Sequence, residues 1–170
     1  MEVGGWKLYQ HPLFKDKYDK LLAEVEKVAQ SQPATYESHK STKMLKRITD
    51  LIIEEIPADP GHERFQQGKI EYSGAGYQHW KRAKFGKNHR YRLFFRYEQK
   101  QLSHGLRKVI IYAWINDESS FRKSGDKNDP YALFAKDLKK GRLPDSIEAL
   151  LREAEEYILA TGDEKADVQK

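Results

Sequence analysis

The 170-residue chain contains no cysteine, and this absence excludes several kinds of chemistry. Disulfides, zinc sites built on thiolates and cysteine nucleophiles cannot form, and the composition suits a reducing compartment. The chain also lacks a run of eighteen apolar residues and a hydrophobic stretch behind a basic amino terminus, and its mean hydropathy is −0.88. We therefore predict a soluble cytoplasmic protein with no membrane span and no signal peptide.

Common motifs of metal, nucleotide and hydrolase sites are absent as well. The six histidines are spread singly, with no HExxH or similar ligand spacing, so no metal is predicted. No GxSxG, P-loop or GxGxxG is present, and no cofactor is predicted. His79 and His89 are candidate proton carriers, although an isolated exposed histidine is more often passive.

Charge is unevenly distributed along the chain. The formal net charge is +5. From Asp145 to Lys170 eight acidic side chains stand against three basic ones, so this segment carries −5 and the remainder +10. A body this basic favours a polyanionic partner, with nucleic acid ahead of an acidic protein or a membrane surface. The alternative is an ordinary solvated surface.

Apolar periodicity predicts an α+β protein in which N-terminal helices pack on a small antiparallel sheet and helices follow at the C-terminal end. The expected helices span residues 12–30, 35–56, 130–140 and 144–160. The expected strands span residues 5–10, 79–85, 90–97 and 107–115, with a strand or bend at 64–73, a turn at 74–76, a hairpin turn at 86–89 and a hairpin loop at 98–106. We predict one domain over residues 1–160 and a disordered acidic and polar tail over 161–170.

Two neighbouring strands carry positive charge on one face. The stretch "NHRYRLFFRY" alternates arginine with apolar residues, and the preceding strand, "HWKRAKF", alternates in the same way. The cations expected to converge are Arg82, Lys84, Arg90, Arg92 and Arg96, with Lys87 in the turn. Like charges side by side on a sheet destabilise it, so this patch favours an anionic ligand, and guanidinium groups match phosphate. The alternative is an exposed face of solvated side chains.

Other residues extend this candidate site. Among the neighbouring aromatic residues, Phe94 shares the arginine face, which suggests that unpaired bases of RNA or DNA could stack there. Beyond the last strand, Asn116, Asp117, Arg122 and Tyr131 lie where a sheet edge opens into a loop and a helix start. Arg122 could complete an anionic pocket, whereas Tyr131 could equally be a core anchor.

Several motifs occur in a specific order: "GWKLYQHPLF", "WKRAKFG", "RYRLFFRY", "WINDE", "FRKSG" and "DPYALF". Together they closely resemble the YhaV family of toxins, a branch of the RelE/ParE superfamily from type II toxin–antitoxin systems. The resemblance implies a RelE-like fold and an endoribonuclease that cleaves mRNA, generally on the ribosome, and inhibits translation. It also implies a PrlF-type antitoxin as partner, with promoter DNA bound only through the toxin–antitoxin complex, and no membrane partner.

The resemblance assigns roles to individual residues. It implies catalytic roles for Arg82, Lys84, Arg92, Arg122 and Tyr131. From the basic strands and the turn between them, we expect RNA contacts by Lys81, Lys87, His89, Arg90, Phe94 and Arg96. The resemblance implies metal-independent attack of the RNA 2′-hydroxyl on the adjacent phosphate, and a lysine crowded by arginines, such as Lys84, could accept the proton. Two alternatives stay open: a non-catalytic RNA or ribosome binder, and the gyrase-poisoning branch of the superfamily.

Overall fold

A computed structural model describes residues 1–67, 77, 79–120 and 122–158. The predictions for residues 68–76 and for the tail at 161–170 lie outside these residues. The helices are α1 (Pro12–Ser31), α2 (Lys40–Asp50), α3 (Ile56–Ala58), α4 (Pro130–Lys139) and α5 (Ile147–Glu153). The strands are β1 (Glu2–Val3), β2 (Trp6–Gln10), β3 (Lys81–Phe85), β4 (Tyr91–Leu102), β5 (Gly105–Ile115) and β6 (Glu155–Glu156). The predicted α+β class is confirmed.

The described strands form one sheet in the order β1-β2-β5-β4-β3, with β6 also paired to β2. Strands β3, β4 and β5 are the predicted antiparallel meander. The prediction of a wholly antiparallel sheet is wrong at β2, which runs parallel to β5. The long connection through α1 and α2 makes this possible, because parallel neighbours need a crossover rather than a tight turn.

Helices cover both faces of the sheet. Ile110 and Tyr112 of β5 belong to a core with α1 and α2, whereas Ile111 and Ala113 belong to a second core with α4 and α5. A strand buried on both faces needs apolar residues at successive positions, which explains the unbroken run in "VIIYAWI". The site described below lies on the side of the sheet that faces α4.

The predicted helix at 35–56 is interrupted. Residues Tyr36–Ser38 form a short 3₁₀ turn, α2 begins at Lys40, and Leu51–Glu55 form a turn of π-helix before α3. Pro57 explains the π turn, because it has no N–H and its ring disfavours a regular turn before it. The carbonyl of Ile52 instead accepts a hydrogen bond from the buried Tyr112 hydroxyl at 2.6 Å.

Two further predictions were wrong at element ends. The predicted loop at 98–106 is strand except for a two-residue turn at Ser103 and His104. The last helix ends at Glu153, and β6 follows along the edge of β2. Tyr157 imposes this ending, because its N–H bonds the carbonyl of Leu8 and its fully buried ring carries a hydroxyl 2.9 Å from that of Tyr18.

Histidine begins three of the helical segments. His11 precedes α1, His39 precedes α2, and His62 precedes the 3₁₀ turn Glu63–Phe65. In each case Nδ1 accepts a hydrogen bond from a backbone N–H two residues later, as a capping carboxylate or hydroxyl would. Within the described residues, no helix is both long and apolar enough to cross a membrane.

Candidate active site

The β3–β4 hairpin places the central basic residues on one face. Lys84 lies opposite Arg92, and Arg82 lies opposite Phe94. The turn between the strands begins at Gly86, whose φ of 78° favours glycine. An added Cβ at this position would lie 2.6 Å from the Tyr91 ring, so the turn also needs the small residue for space. This turn therefore sets the register that places Lys84 opposite Arg92.

Tyr131, the second residue of α4, joins the two strand arginines. Its hydroxyl oxygen accepts hydrogen bonds from Arg82 Nε at 2.6 Å and from Arg92 Nε at 3.2 Å. A hydroxyl has two lone pairs and one proton, so both lone pairs are occupied and the proton is left to donate. Tyr131 therefore aligns the two guanidinium groups and offers a donor beside them.

Arg92 is held from several directions. One terminal nitrogen donates to the carbonyl of Tyr91 at 3.0 Å and to that of His89. Its backbone N–H donates to Asn116 Oδ1 at 2.7 Å, and Asn116 Nδ2 donates in turn to the carbonyls of Arg90 and Ser120. Asn116 is itself buried, so it links the start of β4 to the loop after β5.

The two strand arginines are buried without an acidic partner. Arg82 is 8% exposed and Arg92 is 5% exposed. Among the ion pairs of the described residues, none includes Arg82, Lys84 or Arg92. Buried cations destabilise a fold unless something compensates them, so this arrangement favours an anion as ligand.

Arg82, Arg92 and Tyr131 form the centre of a cationic cluster, and Lys84 is exposed at its edge. Its pKa is lowered, first by the positive charge of Arg82, then by partial burial and by the charges of Arg92 and Arg122. Each of these effects disfavours the ammonium form. A neutral lysine amine beside an anion site can accept a proton at a lower pH than an ordinary lysine can.

Arg122 reaches the same cluster from the loop between β5 and α4. Its guanidinium carbon lies 5.1 Å from the centroid of the Tyr131 ring. It also forms a 2.7 Å ion pair with Asp129, a carboxylate that is only 1% exposed. Sequence analysis missed Asp129, although an aspartate followed by proline is a recognisable signal for a helix start, and here it caps α4.

Other predicted RNA contacts lie apart from the cluster. Phe94 is fully buried and stacks on Phe134 with 3.9 Å between ring centroids, so its ring is not available to a base. Lys81 pairs with Phe95 and so points to the opposite face of the sheet. The Arg90 guanidinium lies over the Tyr91 ring at 5.4 Å.

Arg96 belongs to a separate group. Its guanidinium lies 5.4 Å from the centroid of the Trp80 ring and donates to the backbone carbonyl of Asp145. One carboxylate oxygen of Asp145 is 2.7 Å from both His79 Nε2 and Trp80 Nε1. His79 is thus paired with a carboxylate, whereas the side chains of Lys87 and His89 are exposed in the hairpin turn.

Residues 8–155 match the YhaV toxin family, described as a toxin with endonuclease activity, of toxin–antitoxin system. The chain belongs to this family. The ribonuclease toxin YhaV of Escherichia coli strain K12 is 44% identical over 154 residues, which cover 91% of this chain and 95% of that protein. Toxin YhaV of Escherichia coli O157:H7 has the same identity and coverage. No solved structure gives a significant match.

The match to the YhaV toxin family confirms the resemblance drawn from the ordered motifs. It spans the whole candidate site, from Arg82 on β3 to Tyr131 on α4. Within that site, two buried guanidinium groups meet at the hydroxyl of Tyr131, and their positive charges help to lower the pKa of the Lys84 amine. This set can bind a tetrahedral phosphate, stabilise negative charge that develops on it, and take up a proton.

Proposed function

We propose that this member of the YhaV toxin family is an endoribonuclease that cleaves mRNA at the Arg82–Arg92–Tyr131 cluster without a metal ion. The observation that carries the proposal is the pair of buried arginines joined by the Tyr131 hydroxyl, with no acidic partner among the described residues. Endonuclease activity is the described property of the family. A relative of 44% identity is named a ribonuclease toxin, which supports RNA as the substrate.

The proposed reaction begins with the phosphate bound between Arg82 and Arg92. Lys84, as the neutral amine, accepts the proton of the 2′-hydroxyl while that oxygen attacks the adjacent phosphorus. The bond from phosphorus to the 5′-oxygen then breaks, and this oxygen takes up a proton from solvent. Lys84 releases its proton to solvent and returns to the neutral amine. The products are a 2′,3′-cyclic phosphate and a free 5′-hydroxyl.

Positive charge supplies most of the proposed rate enhancement. The pentacoordinate transition state carries more negative charge on its phosphoryl oxygens than the starting diester does. Guanidinium groups fixed before the reaction stabilise that extra charge without reorganising, and this is usually the largest catalytic contribution. Arg122 and the Tyr131 hydroxyl add a further cation and a further donor.

We also propose the partners and the compartment of the toxin. A PrlF-type antitoxin would present acidic and apolar segments to the basic face, and the pair would bind promoter DNA mainly through the antitoxin. Cleavage would take place on ribosome-associated mRNA in the cytoplasm. Assays with purified toxin, antitoxin and translating ribosomes would test these partners one at a time.

The proposal is tested with purified protein and naked mRNA in EDTA, because ribosomes themselves need magnesium. The wild type should cut the RNA and leave cyclic phosphate ends. Arg92→Lys keeps the charge and removes the fork-shaped donor, so turnover should fall far more than RNA affinity. Lys20→Arg, an exchange on the exposed side of α1, is the matched control and should behave as wild type.

A substrate change tests the nucleophile separately. A single 2′-deoxy nucleotide at a mapped cleavage site should prevent that cut and leave cuts elsewhere unchanged. Cleavage at the deoxy position would contradict the 2′-hydroxyl mechanism. Salt-dependent RNA binding without any cut, on naked RNA and on ribosomes alike, would instead favour the non-catalytic binder.

A further inference from the structure

The buried carboxylate of Asp129 contacts two residues of the candidate site, Arg122 and Tyr131. We infer that Asp129 is a positioning residue for RNA cleavage, which fixes Arg122 and Tyr131 relative to each other. The inference rests on the proposed function. It assigns to the start of α4 a role that goes beyond capping a helix.

Both carboxylate oxygens of Asp129 are used. Oδ1 accepts the backbone N–H of Tyr131 at 2.9 Å. Oδ2 accepts the backbone N–H of Lys123 at 2.6 Å and a terminal nitrogen of Arg122 at 2.7 Å. One buried side chain therefore joins the first turn of α4 to the segment that carries Arg122.

These contacts continue into the cluster. Tyr131, whose backbone Asp129 holds, accepts hydrogen bonds from Arg82 and Arg92. Arg122, whose guanidinium Asp129 holds, lies over the ring of Tyr131. A long side chain that is 37% exposed would otherwise sample many rotamers, and its pairing with a buried carboxylate restricts it to one region.

The negative charge of Asp129 would not itself help the site to bind a phosphate. A carboxylate beside an anion site weakens the binding of that anion, because it offsets the positive charge of Arg122. A site selected only for RNA affinity would do better with a neutral cap such as serine or asparagine. The benefit of an aspartate here is the fixed geometry, which matters most in the transition state.

Asp129→Asn separates the capping of α4 from the positioning of Arg122. Asparagine caps helices as well as aspartate does, so the start of α4 should be kept. The hydrogen bonds to Oδ2 are lost, so the thermal unfolding midpoint should fall, and kcat and KM are compared below that midpoint. Its single oxygen cannot serve both Tyr131 and the Arg122 side, and the counter-charge is lost. We expect kcat for RNA cleavage to fall roughly 10- to 100-fold, with KM unchanged or lower because the site gains positive charge.

A double-mutant cycle with Arg122→Ala identifies the path of the effect. If Asp129 acts through Arg122, the variant carrying both changes should lose about as much kcat as Arg122→Ala alone. Asp126→Asn is the matched control, because Asp126 lies in the same loop. Within the described residues, its carboxylate accepts a local turn hydrogen bond from Asn128 and pairs with the exposed Lys123. This control should retain wild-type kcat and KM.

The outcomes are distinguishable. Unchanged kcat in Asp129→Asn, or losses that multiply in the double variant, would overturn the positioning role while leaving the ribonuclease proposal intact. Absence of cleavage by the wild type, on naked RNA and on ribosomes alike, would overturn both. If Asp129→Asn does not fold, Asp129→Ser, which keeps a capping oxygen, serves for the same kcat and KM comparison.

Discussion

The chemistry of the site depends on cations that are buried yet held by neutral groups. Arg82 and Arg92 donate to a tyrosine hydroxyl, and Arg92 also donates to main-chain carbonyls. These acceptors orient the guanidinium groups without neutralising them. The positive charge thus remains available to a phosphate, which an aspartate or glutamate partner would have prevented.

Arg122→Ala tests the link between this charge and Lys84. Arg122 is one of three arginines that lower the pKa of Lys84, after Arg82 and Arg92. Removing it should raise that pKa, so a higher pH is needed to produce the neutral amine. We expect the ascending limb of the pH profile of kcat/KM to move to higher pH.

The measurement is the rate of RNA cleavage across the alkaline range for wild type, Arg122→Ala and the control Lys20→Ala. The control should leave the ascending limb where it is in the wild type. A lower plateau in Arg122→Ala with no movement of the limb would show that the titrating group does not feel Arg122. Lys84 would then not be the base.

Strand alternation predicted part of this site from sequence. It placed Arg82, Lys84 and Arg92 together, and the hairpin confirms that placement. It could not show that α4 covers the same face further along β4, where Phe94 is buried against Phe134. The packing of α4 on this face of β4 is a tertiary contact between distant segments. The alternation of residues within one strand does not predict it.

At the scale of elements, the β3–β4 hairpin determines whether Lys84 meets Arg92. Gly86→Ala should destabilise the fold and reduce cleavage, because its φ is positive and its new Cβ would collide with the Tyr91 ring. Gly141→Ala is the matched control, with a similar φ of 70° and open space around the new Cβ. Urea unfolding and RNA cleavage rates would measure both effects.

We expect each alanine to reduce stability by about 1 to 2 kcal/mol through the backbone alone. The extra loss in Gly86→Ala, and any loss of kcat, would come from the collision and the shifted hairpin. Equal stability and equal activity in the two variants would contradict this account of the turn.

The C-terminal strand is a second element that the local sequence pattern could not predict. "EALLREAEEYILA" has the period of a helix, yet the helix ends at Glu153 because Tyr157 enters the core beneath α1 and α2. Buried tertiary contacts outweigh a modest helix propensity at this position. The interrupted helix before Pro57 differs from this, because the proline that disturbs it can be read directly from the sequence.

Tyr157→Ala should therefore destabilise the protein by about 3 to 5 kcal/mol, the usual range for a large buried aromatic side chain. Ile158→Ala, at the neighbouring position, should change stability by less than about 0.5 kcal/mol because Ile158 is 79% exposed. Urea denaturation of the two variants gives the comparison. Similar midpoints would show that the burial of Tyr157 contributes little to the fold.

At the scale of the whole molecule, the acidic C-terminal segment forms contacts with the basic body. Its carboxylates form ion pairs from Glu148 to Arg107 and from Glu156 to the amino group of Met1. Those of Asp145 and Glu153 lie 2.7 and 2.6 Å from ring nitrogens of His79 and His11. None of these described pairs involves Arg82, Lys84 or Arg92. The described part of the acidic segment therefore contacts other groups of the body and forms no ion pair with Arg82, Lys84 or Arg92.

Apolar periodicity predicted the fold class, and the order of the motifs predicted the family. Both features can be recognised in the sequence without knowledge of contacts between distant segments. The parallel pairing of β2 with β5 and the joining of Arg122, Tyr131 and Asp129 depend on contacts between distant segments. One sequence shows that polar residues follow a strand. It does not show which of them share a hydrogen bond.

The most direct test of the central claim is Lys84→Arg in single-turnover cleavage of naked RNA, with Lys20→Arg as the control. Arginine preserves the positive charge but does not release a proton near neutral pH. The account predicts that RNA affinity is retained while cleavage falls at least about 100-fold, within the range of a lost general base. Cleavage at the wild-type rate by Lys84→Arg would contradict it.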